Sequence, residues 1–487
     1  MKGKEMRLPE LFDSLTRETR TFDPVRAGEA RIYTCGPTVY NYAHIGNLRA
    51  YVFADVLGRT LRASGLDLTH VINITDVGHL TDDADEGEDK LEKAAAGSSR
   101  SIWDIAEHYT RAFKADFSAI GNRSPHQWTT ATDYVERMIA FISDIADKHA
   151  YELESGLYFD TSTVPAYGRL AGACTDESHA HGRIETVEGK RNPADFALWR
   201  KSAPGESRQM EWDSPWGRGA PGWHIECSVM SSEALGFPFD IHTGGIDHRE
   251  VHHANEIAQN QAHLGAEGTD AESTGARMWM HNNFLIDRTG KMSKSKGDFL
   301  RLATLTARGH HPRAYRLMIL QAHYRSELEF TWDGLRAATT RLKRMVMQAG
   351  SLPAGGPATV EDQKISEMLE RFENAMAADL NTPEAIVILE QVLSAKKTDA
   401  ASRRAAVDRM DAMLGLGLMR LTREDLRIRP DGTEIEEAQI ERLIAERHDA
   451  RRNGDYTAGD AIRDRLGKEG VLVMDGDPLA WEWNIGA

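Results

Sequence analysis

The stretch Ala30-Arg31-Ile32-Tyr33-Thr34-Cys35-Gly36-Pro37, followed by His44-Ile45-Gly46-Asn47, decides the fold of this chain. Residues 30–34 predict a short strand, residues 44–62 carry apolar side chains at helical spacing, and residues 69–75 predict a second strand. A strand, turn, helix and strand in this order open a parallel α/β sheet, where ligands bind at the carboxyl ends of the strands. The sequence therefore predicts an α/β fold with Cys35 and Asp76 at that edge.

Composition limits the classes of protein that this chain can be. Its 487 residues, 41% of them hydrophobic, are enough for two to four packed domains. We expect a cytoplasmic location without a membrane span, because neither a signal-peptide pattern nor a membrane-length apolar run is present. Three cysteines are too few for a disulfide framework and favour a reducing compartment. A net charge of −16 disfavours indiscriminate binding to nucleic acid, so any RNA contact must be local.

Changes in pattern along the chain predict five segments. Residues 1–125 and 212–310 have α/β texture, with a turn at 222–227, strands at 239–245 and 278–286, and a helix at 252–264. Residues 126–211 mix an amphipathic helix at 134–149 with short strands, which suggests an α+β insertion. Residues 311–430 are helical. Residues 431–487 predict a charged helical pair at 440–468 and a strand pair at 471–483.

Two motifs indicate ATP chemistry. His44 and Asn47 lie three residues apart at a helix start, so both side chains can face a phosphate beside the helix N-terminus, and Gly46 leaves room for a base. Lys291-Met292-Ser293-Lys294-Ser295 is flanked by glycines, and its lysines can close on a triphosphate as charge develops in the transition state. Either motif alone could be an ordinary helix or basic turn, but together they predict adenylate formation.

A third group of residues predicts a metal site. His252 and Glu256 are four residues apart and share a helical face, whereas His253 points elsewhere. Cys35, at a strand end, and Cys227 add two thiolates, and this set of donors suits zinc. The alternative is that the thiols are inert and buried and that His253 is an ordinary histidine.

Three weaker signals accompany these motifs. Trp223 could form a pocket wall, although tryptophan is more often a core residue. Gly245 and Asp247 follow a predicted strand and could admit adenosine, with Asp247 accepting hydrogen bonds from the ribose. The arginines among the acids of 440–468 are typical of intrahelical ion pairs or of an RNA-facing surface.

These motifs together resemble the cysteinyl-tRNA synthetase family, class I aminoacyl-tRNA synthetases, in its bacterial form. The resemblance extends nearly end to end and rests on residues 33–40, 44–46, Asn73-Ile74-Thr75-Asp76, Lys190-Arg191-Asn192-Pro193, 221–228, 252–259, 291–295, His323-Tyr324-Arg325-Ser326, 380–385, Asp449-Ala450-Arg451 and 460–466. It implies a Rossmann-like parallel-sheet catalytic domain split by a connective-peptide insertion, then a stem-contact and helical bundle domain and a C-terminal anticodon-binding unit.

The resemblance also implies a reaction and its participants. Cysteine would react with ATP, accompanied by Mg²⁺, to give cysteinyl-adenylate, and the cysteinyl group would pass to the 3′-terminal adenosine of tRNA(Cys). One zinc ion per chain would be held by Cys35, Cys227, His252 and Glu256. ATP would be bound by His44, Gly46, Asn47, Gly245, Asp247 and Lys294, and catalysis would involve His44, Asn47, Lys291 and Lys294. The amino-acid pocket would be shaped by Gly36, Thr75 and Trp223. We expect a monomer.

Zinc would account for specificity, because the hydroxyl of serine is a harder and less acidic ligand than the nearly isosteric thiol of cysteine. The chain departs from the family pattern at Asn47, where many members have a second histidine, and at 77–80 and 247–251. These departures suggest a divergent branch.

Two alternatives remain at this point. The cysteine ligase of mycothiol biosynthesis activates cysteine in the same way but joins it to an amino sugar; it lacks an anticodon-binding portion, whereas this chain continues into a charged C-terminal unit. A non-catalytic, metal-bound RNA-binding protein is disfavoured because the His44 motif and the lysine loop are both intact.

Overall fold

The structure is a computed structural model, and it describes residues 6–77, 101–172, 188–202, 205, 208–265, 271–287, 290–291, 300–355 and 359–485. Lys294 and the acidic segment at 82–89 lie outside the described residues. Only the backbone of Lys291 is described, in a short strand.

The strands in the described ranges are β1 (Glu10–Asp13), β2 (Glu18–Thr21), β3 (Glu29–Thr34), β4 (Asp67–Ile74), β5 (Gln127–Thr130), β6 (Ala150–Leu153), β7 (Gly156–Phe159), β8 (Phe196–Lys201), β9 (Gly219–Pro221), β10 (Phe239–Gly245), β11 (Ala276–Asn282), β12 (Leu285–Asp287), β13 (Gly290–Lys291), β14 (Leu328–Glu329), β15 (Val471–Val473) and β16 (Trp481–Trp483).

The α-helices are α1 (Ile45–Ala63), α2 (Ile102–Ala119), α3 (Val135–His149), α4 (Trp223–Leu235), α5 (His252–Leu264), α6 (Leu302–Ala307), α7 (Pro312–Leu320), α8 (Trp332–Gly350), α9 (Gln363–Ala377), α10 (Thr382–Ser394), α11 (Ala400–Leu414), α12 (Glu437–Arg452) and α13 (Tyr456–Lys468). Short 3₁₀ turns lie at Ala131–Tyr134, Thr161–Thr163, Ile246–His248 and Ala271–Thr274.

A five-stranded sheet with the order β11-β10-β3-β4-β5 forms the centre of the catalytic domain. Every neighbouring pair in it is parallel, which confirms the predicted α/β fold. From β3 the chain passes through α1 to β4 on one side, whereas β10 pairs on the other side of β3. The carboxyl ends of β3 and β10 therefore border the crevice where open α/β sheets bind ligands.

Two local predictions were wrong. The predicted turn at 222–227 is the first turn of α4, which begins directly after its N-cap Gly222. The chain approaches a neighbouring strand closely there, since a Cβ on Gly222 would lie 2.0 Å from the carbonyl oxygen of Ala197. The predicted strand at 278–286 divides into β11 and β12, because the backbone N–H of Asn283 leaves the sheet to bond the carbonyl of Tyr324 at 2.8 Å.

Within the predicted insertion, β6, β7 and β8 form an antiparallel sheet, and β9, which lies beyond residue 211, completes it at one edge. The apolar face of this sheet joins α3, α4 and one side of the central sheet in one core, which includes Leu157, Phe159, Phe196 and Leu198. The insertion therefore buttresses the same side of the sheet that carries Cys35.

One continuous hydrophobic core joins the catalytic domain to the helical bundle. It contains side chains from α1, α2 and α7–α11 and ends at Leu426. The C-terminal unit has a separate core formed by α12, α13 and the antiparallel pair β15–β16, which confirms the predicted helical pair and strand pair. Among the helices that the structure describes, none has the length and apolarity needed to cross a membrane.

A buried ion cluster strengthens the junction between α1 and the bundle. Asp55 Oδ2 accepts hydrogen bonds from Arg59 Nε and Arg316 Nη2, each at 2.6 Å. The remaining guanidinium nitrogens donate to Asn122, to the backbone carbonyl of Gly121 and to the last carbonyls of α11, those of Ala412 and Leu414. We call Asp55, Arg59 and Arg316 the Asp55 cluster.

Candidate metal centre and active site

Three elements bring the four predicted metal ligands to one point. Cys35 follows β3, Cys227 lies in the first turns of α4, and His252 and Glu256 lie one helical turn apart at the start of α5. All four are buried, and one donor atom from each lies within 4.8 Å of the others. The residues that the sequence placed in a single metal site therefore meet in the fold.

The spacing of these donors fits a tetrahedral zinc ion. The Cys35 and Cys227 sulfurs are 3.9 Å apart, His252 Nε2 is 3.4 Å from the Cys227 sulfur, and it is 3.1 Å from Glu256 Oε1. Usual zinc bond lengths at tetrahedral angles require about 3.8 Å between two sulfurs, about 3.6 Å between sulfur and nitrogen, and about 3.4 Å between nitrogen and oxygen.

A second set of donors shares two of these residues. Cys35, His242, His253 and Glu256 also present donor atoms within 4.8 Å of one another. Its separations depart further from the zinc values: 3.2 Å from Cys35 Sγ to His253 Nε2, 3.9 Å from that nitrogen to Glu256 Oε1, and 2.8 Å from His242 Nε2 to Glu256 Oε2. The set with two thiols fits zinc better, both in distance and in donor chemistry.

The electrostatic field of the cluster favours a positive charge. Burial alone would raise the pKa of Glu256, but the His242 and His252 imidazoles outweigh it and lower that pKa to about 2. Burial opposes a charged His252, yet Glu256 and Cys227 raise the pKa of His252 to about 10. Glu256 is therefore ionised and His252 carries a compensating proton, and the four donors could hold a metal ion in place of that proton.

His44 and Asn47 form a reciprocal cap at the start of α1. The backbone N–H of Asn47 donates to His44 Nδ1 at 3.1 Å, and the backbone N–H of His44 donates to Asn47 Oδ1 at 3.2 Å. Because Nδ1 accepts, a neutral imidazole carries its hydrogen on Nε2. The cap fixes both side chains at the positive end of a 19-residue helix, where phosphate binding is favourable.

Three glycines predicted to line the site, Gly36, Gly46 and Gly245, lie in different surroundings. A Cβ on Gly36 would lie 1.5 Å from the carbonyl oxygen of Asn73, so only glycine permits this approach of the two strand ends. The nearest atoms to a Cβ on Gly46 are in the ring of His44, at 2.9 Å. Gly245 ends β10, and Asp247 follows it in an exposed 3₁₀ turn at the mouth of the crevice.

Thr75 and Trp223 lie beside the metal ligands. The ring of Trp223 is half-buried and its centroid is 4.5 Å from that of His252. The Thr75 hydroxyl donates to Glu226 Oε2 at 2.9 Å, and both residues are buried. Burial raises the pKa of Glu226 to about 8, against the opposing effects of the Thr75 hydrogen bond and of His252.

Comparison with known proteins places the chain in a family. Residues 21–340 match the family described as "tRNA synthetases class I (C) catalytic domain", and residues 436–478 match "Cysteinyl-tRNA ligase anticodon binding domain". A cysteine–tRNA ligase of Novosphingobium aromaticivorans is 65% identical over 478 residues, covering 98% of this chain and 97% of the relative. The chain belongs to the cysteine–tRNA ligase family.

Other relatives agree. A cysteine–tRNA ligase of Zymomonas mobilis is 50% identical and covers 97% of each chain. Among solved structures, a Mycobacterium tuberculosis methionyl-tRNA synthetase bound by methionyl-adenylate superposes with a TM-score of 0.52. It covers 79% of this chain and 89% of that one at 14% identity, so it shows the fold alone.

Membership in the cysteine–tRNA ligase family confirms the predicted activity, an aminoacyl-tRNA synthetase reaction that uses cysteine, ATP and tRNA. The alternative of a cysteine ligase of mycothiol biosynthesis is not supported, since the high-identity relatives are cysteine–tRNA ligases over the whole chain.

Sequence reasoning missed three buried residues beside the ligands. His253 was expected to point elsewhere, yet its Nε2 lies 3.2 Å from the Cys35 sulfur. His242 bonds Glu256, and its ring stacks on Trp279 with centroids 4.6 Å apart. Asn73 bonds both Gly36 and Thr75. The polar residues on the buried face of α5 were the available signal for His253, and no local pattern marked His242 in β10 or Asn73 in β4.

Proposed function

We propose that this cysteine–tRNA ligase holds one zinc ion on Cys35, Cys227, His252 and Glu256 and uses it to select cysteine. The observation that carries the proposal is the convergence of these four donors at the carboxyl edge of the sheet. Zinc, when bound, supplies a Lewis acid that prefers a thiolate to a hydroxyl as a further ligand.

The side chains around this site orient the amino acid. Trp223 closes one wall of the pocket, and Thr75, at the end of β4, presents its hydroxyl beside the metal ligands. Gly36 allows the two strand ends to approach closely enough to form the floor. A substrate fixed by its sulfur is thereby held with its carboxylate toward the nucleotide crevice, so that attack on the α-phosphorus is intramolecular in effect.

ATP would bind between the start of α1 and the end of β10. His44 and Asn47 stabilise the phosphates, Gly46 and Gly245 leave space for adenosine, and Asp247 accepts hydrogen bonds from the ribose. Lys291 and Lys294 would contact the departing pyrophosphate, accompanied by Mg²⁺. This assignment is supported by the capped helix N-terminus and by the position of β10 beside β3.

The remaining proposals concern the setting of the reaction. The second step transfers the cysteinyl group to the 3′-terminal adenosine of tRNA(Cys), and the C-terminal unit would contact the anticodon. Reduced thiols at Cys35 and Cys227 suit a cytoplasmic location. We further propose that the protein acts as a monomer.

The test is ATP–pyrophosphate exchange on zinc-loaded protein with cysteine or serine, followed by charging of tRNA(Cys). Cysteine should support exchange and serine should give little. The variant Lys294→Ala should slow adenylate formation while tRNA affinity stays unchanged. Equal exchange with serine would contradict the role of zinc, and a change confined to tRNA affinity would contradict the role of Lys294.

A further inference from the structure

A chain of hydrogen bonds joins the ends of β3 and β4 to the start of α4. The backbone N–H of Gly36 donates to Asn73 Oδ1 at 2.6 Å, Asn73 Nδ2 donates to Thr75 Oγ1 at 3.1 Å, and the Thr75 hydroxyl donates to Glu226 Oε2 at 2.9 Å. Asn73, Thr75 and Glu226 are at most 2% exposed. We call these three side chains the Thr75 chain.

The Thr75 chain borders the metal ligands at both ends. Gly36 directly follows Cys35, and Glu226 directly precedes Cys227. Side chains alternate between the faces of a strand, so Asn73 and Thr75 lie on the face of Val71, which shares a core with both cysteines. The side chains of the Thr75 chain therefore lie along the floor of the amino-acid pocket and not on the opposite face of the sheet.

The hydrogen bonds of the Thr75 hydroxyl determine whether it can donate to a ligand or accept from one. A threonine hydroxyl has one hydrogen and two lone pairs. Glu226 Oε2 accepts its hydrogen, as it does in a neutral carboxyl whose proton is on Oε1, and Asn73 Nδ2 donates to one lone pair. The oxygen can therefore only accept a further hydrogen bond, and an ammonium group, which only donates, matches it.

We propose that Asn73 and Glu226 are positioning residues, which hold the Thr75 hydroxyl as an acceptor for the α-ammonium group of the incoming amino acid. This inference rests on the proposed function, since it assumes that the pocket binds cysteine. The metal would then bind the sulfur of the substrate, and the Thr75 hydroxyl would bind its amino group. A thiol without an ammonium group satisfies only the first of these contacts.

Removal of the Glu226 acceptor should free the hydroxyl to rotate. Its hydrogen would then point into the pocket in part of the molecules and oppose the ammonium group. Glu226→Met keeps most of the side-chain volume but removes the acceptor. Glu226→Gln retains an acceptor oxygen and is the matched control.

The experiment measures binding to zinc-loaded protein by calorimetry, with L-cysteine and with 3-mercaptopropionate, which has the thiol and carboxylate but lacks the ammonium group. Glu226→Met should weaken cysteine binding on the order of tenfold, the effect of one charge-assisted hydrogen bond, and weaken 3-mercaptopropionate less than twofold. Glu226→Gln should restore most of the loss. Equal weakening of both ligands, or no change in either, would overturn the proposal.

A double-mutant cycle tests whether Glu226 acts through Thr75. In a Thr75→Val background, Glu226→Met should add no further loss of cysteine affinity, because the hydroxyl it orients is gone. Additive losses would show an independent effect and refute the inference. If Glu226→Met does not fold, Asn73→Ala provides the same comparison, with an expected loss of about threefold for cysteine alone.

Failure of this inference can be told apart from failure of the proposed function. If wild-type protein bound cysteine no better than 3-mercaptopropionate and gave no cysteine-dependent exchange, the pocket assignment itself would fall. If wild type behaves as expected and only the variants depart from the pattern, the Thr75 chain alone is wrong.

Discussion

The metal centre and the Asp55 cluster are both buried groups of charged side chains, but they are balanced differently. In the Asp55 cluster one carboxylate faces two guanidiniums, and the other donors reach carbonyl or amide oxygens. In the candidate metal centre two thiols, a carboxylate and imidazoles converge on one point. The charges of the first cluster are balanced within the protein, whereas the second group could hold a metal ion. Burial of charge alone therefore does not distinguish the two groups of side chains; the number of electron-pair donors that converge on one point does.

The largest expected effect is the loss of one metal ligand. Cys227→Ser should lower zinc content and reduce cysteine-dependent pyrophosphate exchange at least ~1,000-fold, because one of two thiolates is replaced by a hydroxyl that binds zinc poorly. Zinc is measured by elemental analysis of the purified variant. Cys174→Ser, the third cysteine of the chain, serves as the control and should retain both zinc and activity. Full zinc content with unchanged exchange would mean that Cys227 belongs to a self-sufficient cluster like that of Asp55.

The next effect concerns stability rather than chemistry. Arg316→Met should reduce the free energy of unfolding by about 3 kcal/mol, because it leaves the buried Asp55 carboxylate with one partner fewer. Urea unfolding measures the change. The KM for cysteine should stay near the wild-type value at temperatures where the variant is folded. A selective rise in that KM would contradict a purely structural role.

Acid should weaken the Asp55 cluster in a defined pH range. Burial would raise the pKa of Asp55, but Arg316 and Arg59 outweigh it and hold the pKa below its ordinary value of 3.8. A carboxyl group whose pKa is lower in the folded than in the unfolded state stabilises the folded protein at pH values above its unfolded-state pKa. This stabilisation is lost as the pH falls through the folded-state pKa. The difference in unfolding free energy between wild type and Asp55→Asn should therefore be constant near pH 7 and narrow below about pH 4. A difference that does not change between pH 7 and pH 3 would contradict the ion pairing.

The smallest effect is expected for an exposed ion pair. Arg111 and Glu107 lie on the surface of α2, with side chains 71% and 67% exposed and charged atoms 3.7 Å apart. Glu107→Gln should change the free energy of unfolding by less than about 0.5 kcal/mol, since water and salt screen such pairs. A loss as large as that of Arg316→Met would show that burial is not what separates the two kinds of ion pair.

Sequence reasoning succeeded where the signal was periodic or where spacing carried the chemistry. The helix predicted at 252–264 coincides with α5, and the side chains of His252 and Glu256, four residues apart, meet Cys35 and Cys227 in the fold. Sequence reasoning failed where contacts with residues far away in the sequence determine the local structure. The Gly222 segment is helical because β8 packs against it, and His253 enters the cluster through contacts with β3 and β11. The hydrogen bond between Thr75 and Glu226 could not be predicted either, because the packing of α4 against the end of β4 does not follow from the sequence of either segment.

The two large cores differ in how much of the chain they need. Among the described residues, the core around Cys35 and Cys227 has its last member at Trp279, whereas the core beneath α1 takes side chains from as far along as Leu426. During synthesis from the N-terminus, the thiol-bearing side of the catalytic domain can close first. The packing around α1 forms only after the bundle has emerged from the ribosome. We therefore expect the nascent chain to bring the two thiols together before it stabilises the start of α1, where we propose that the ATP phosphates bind.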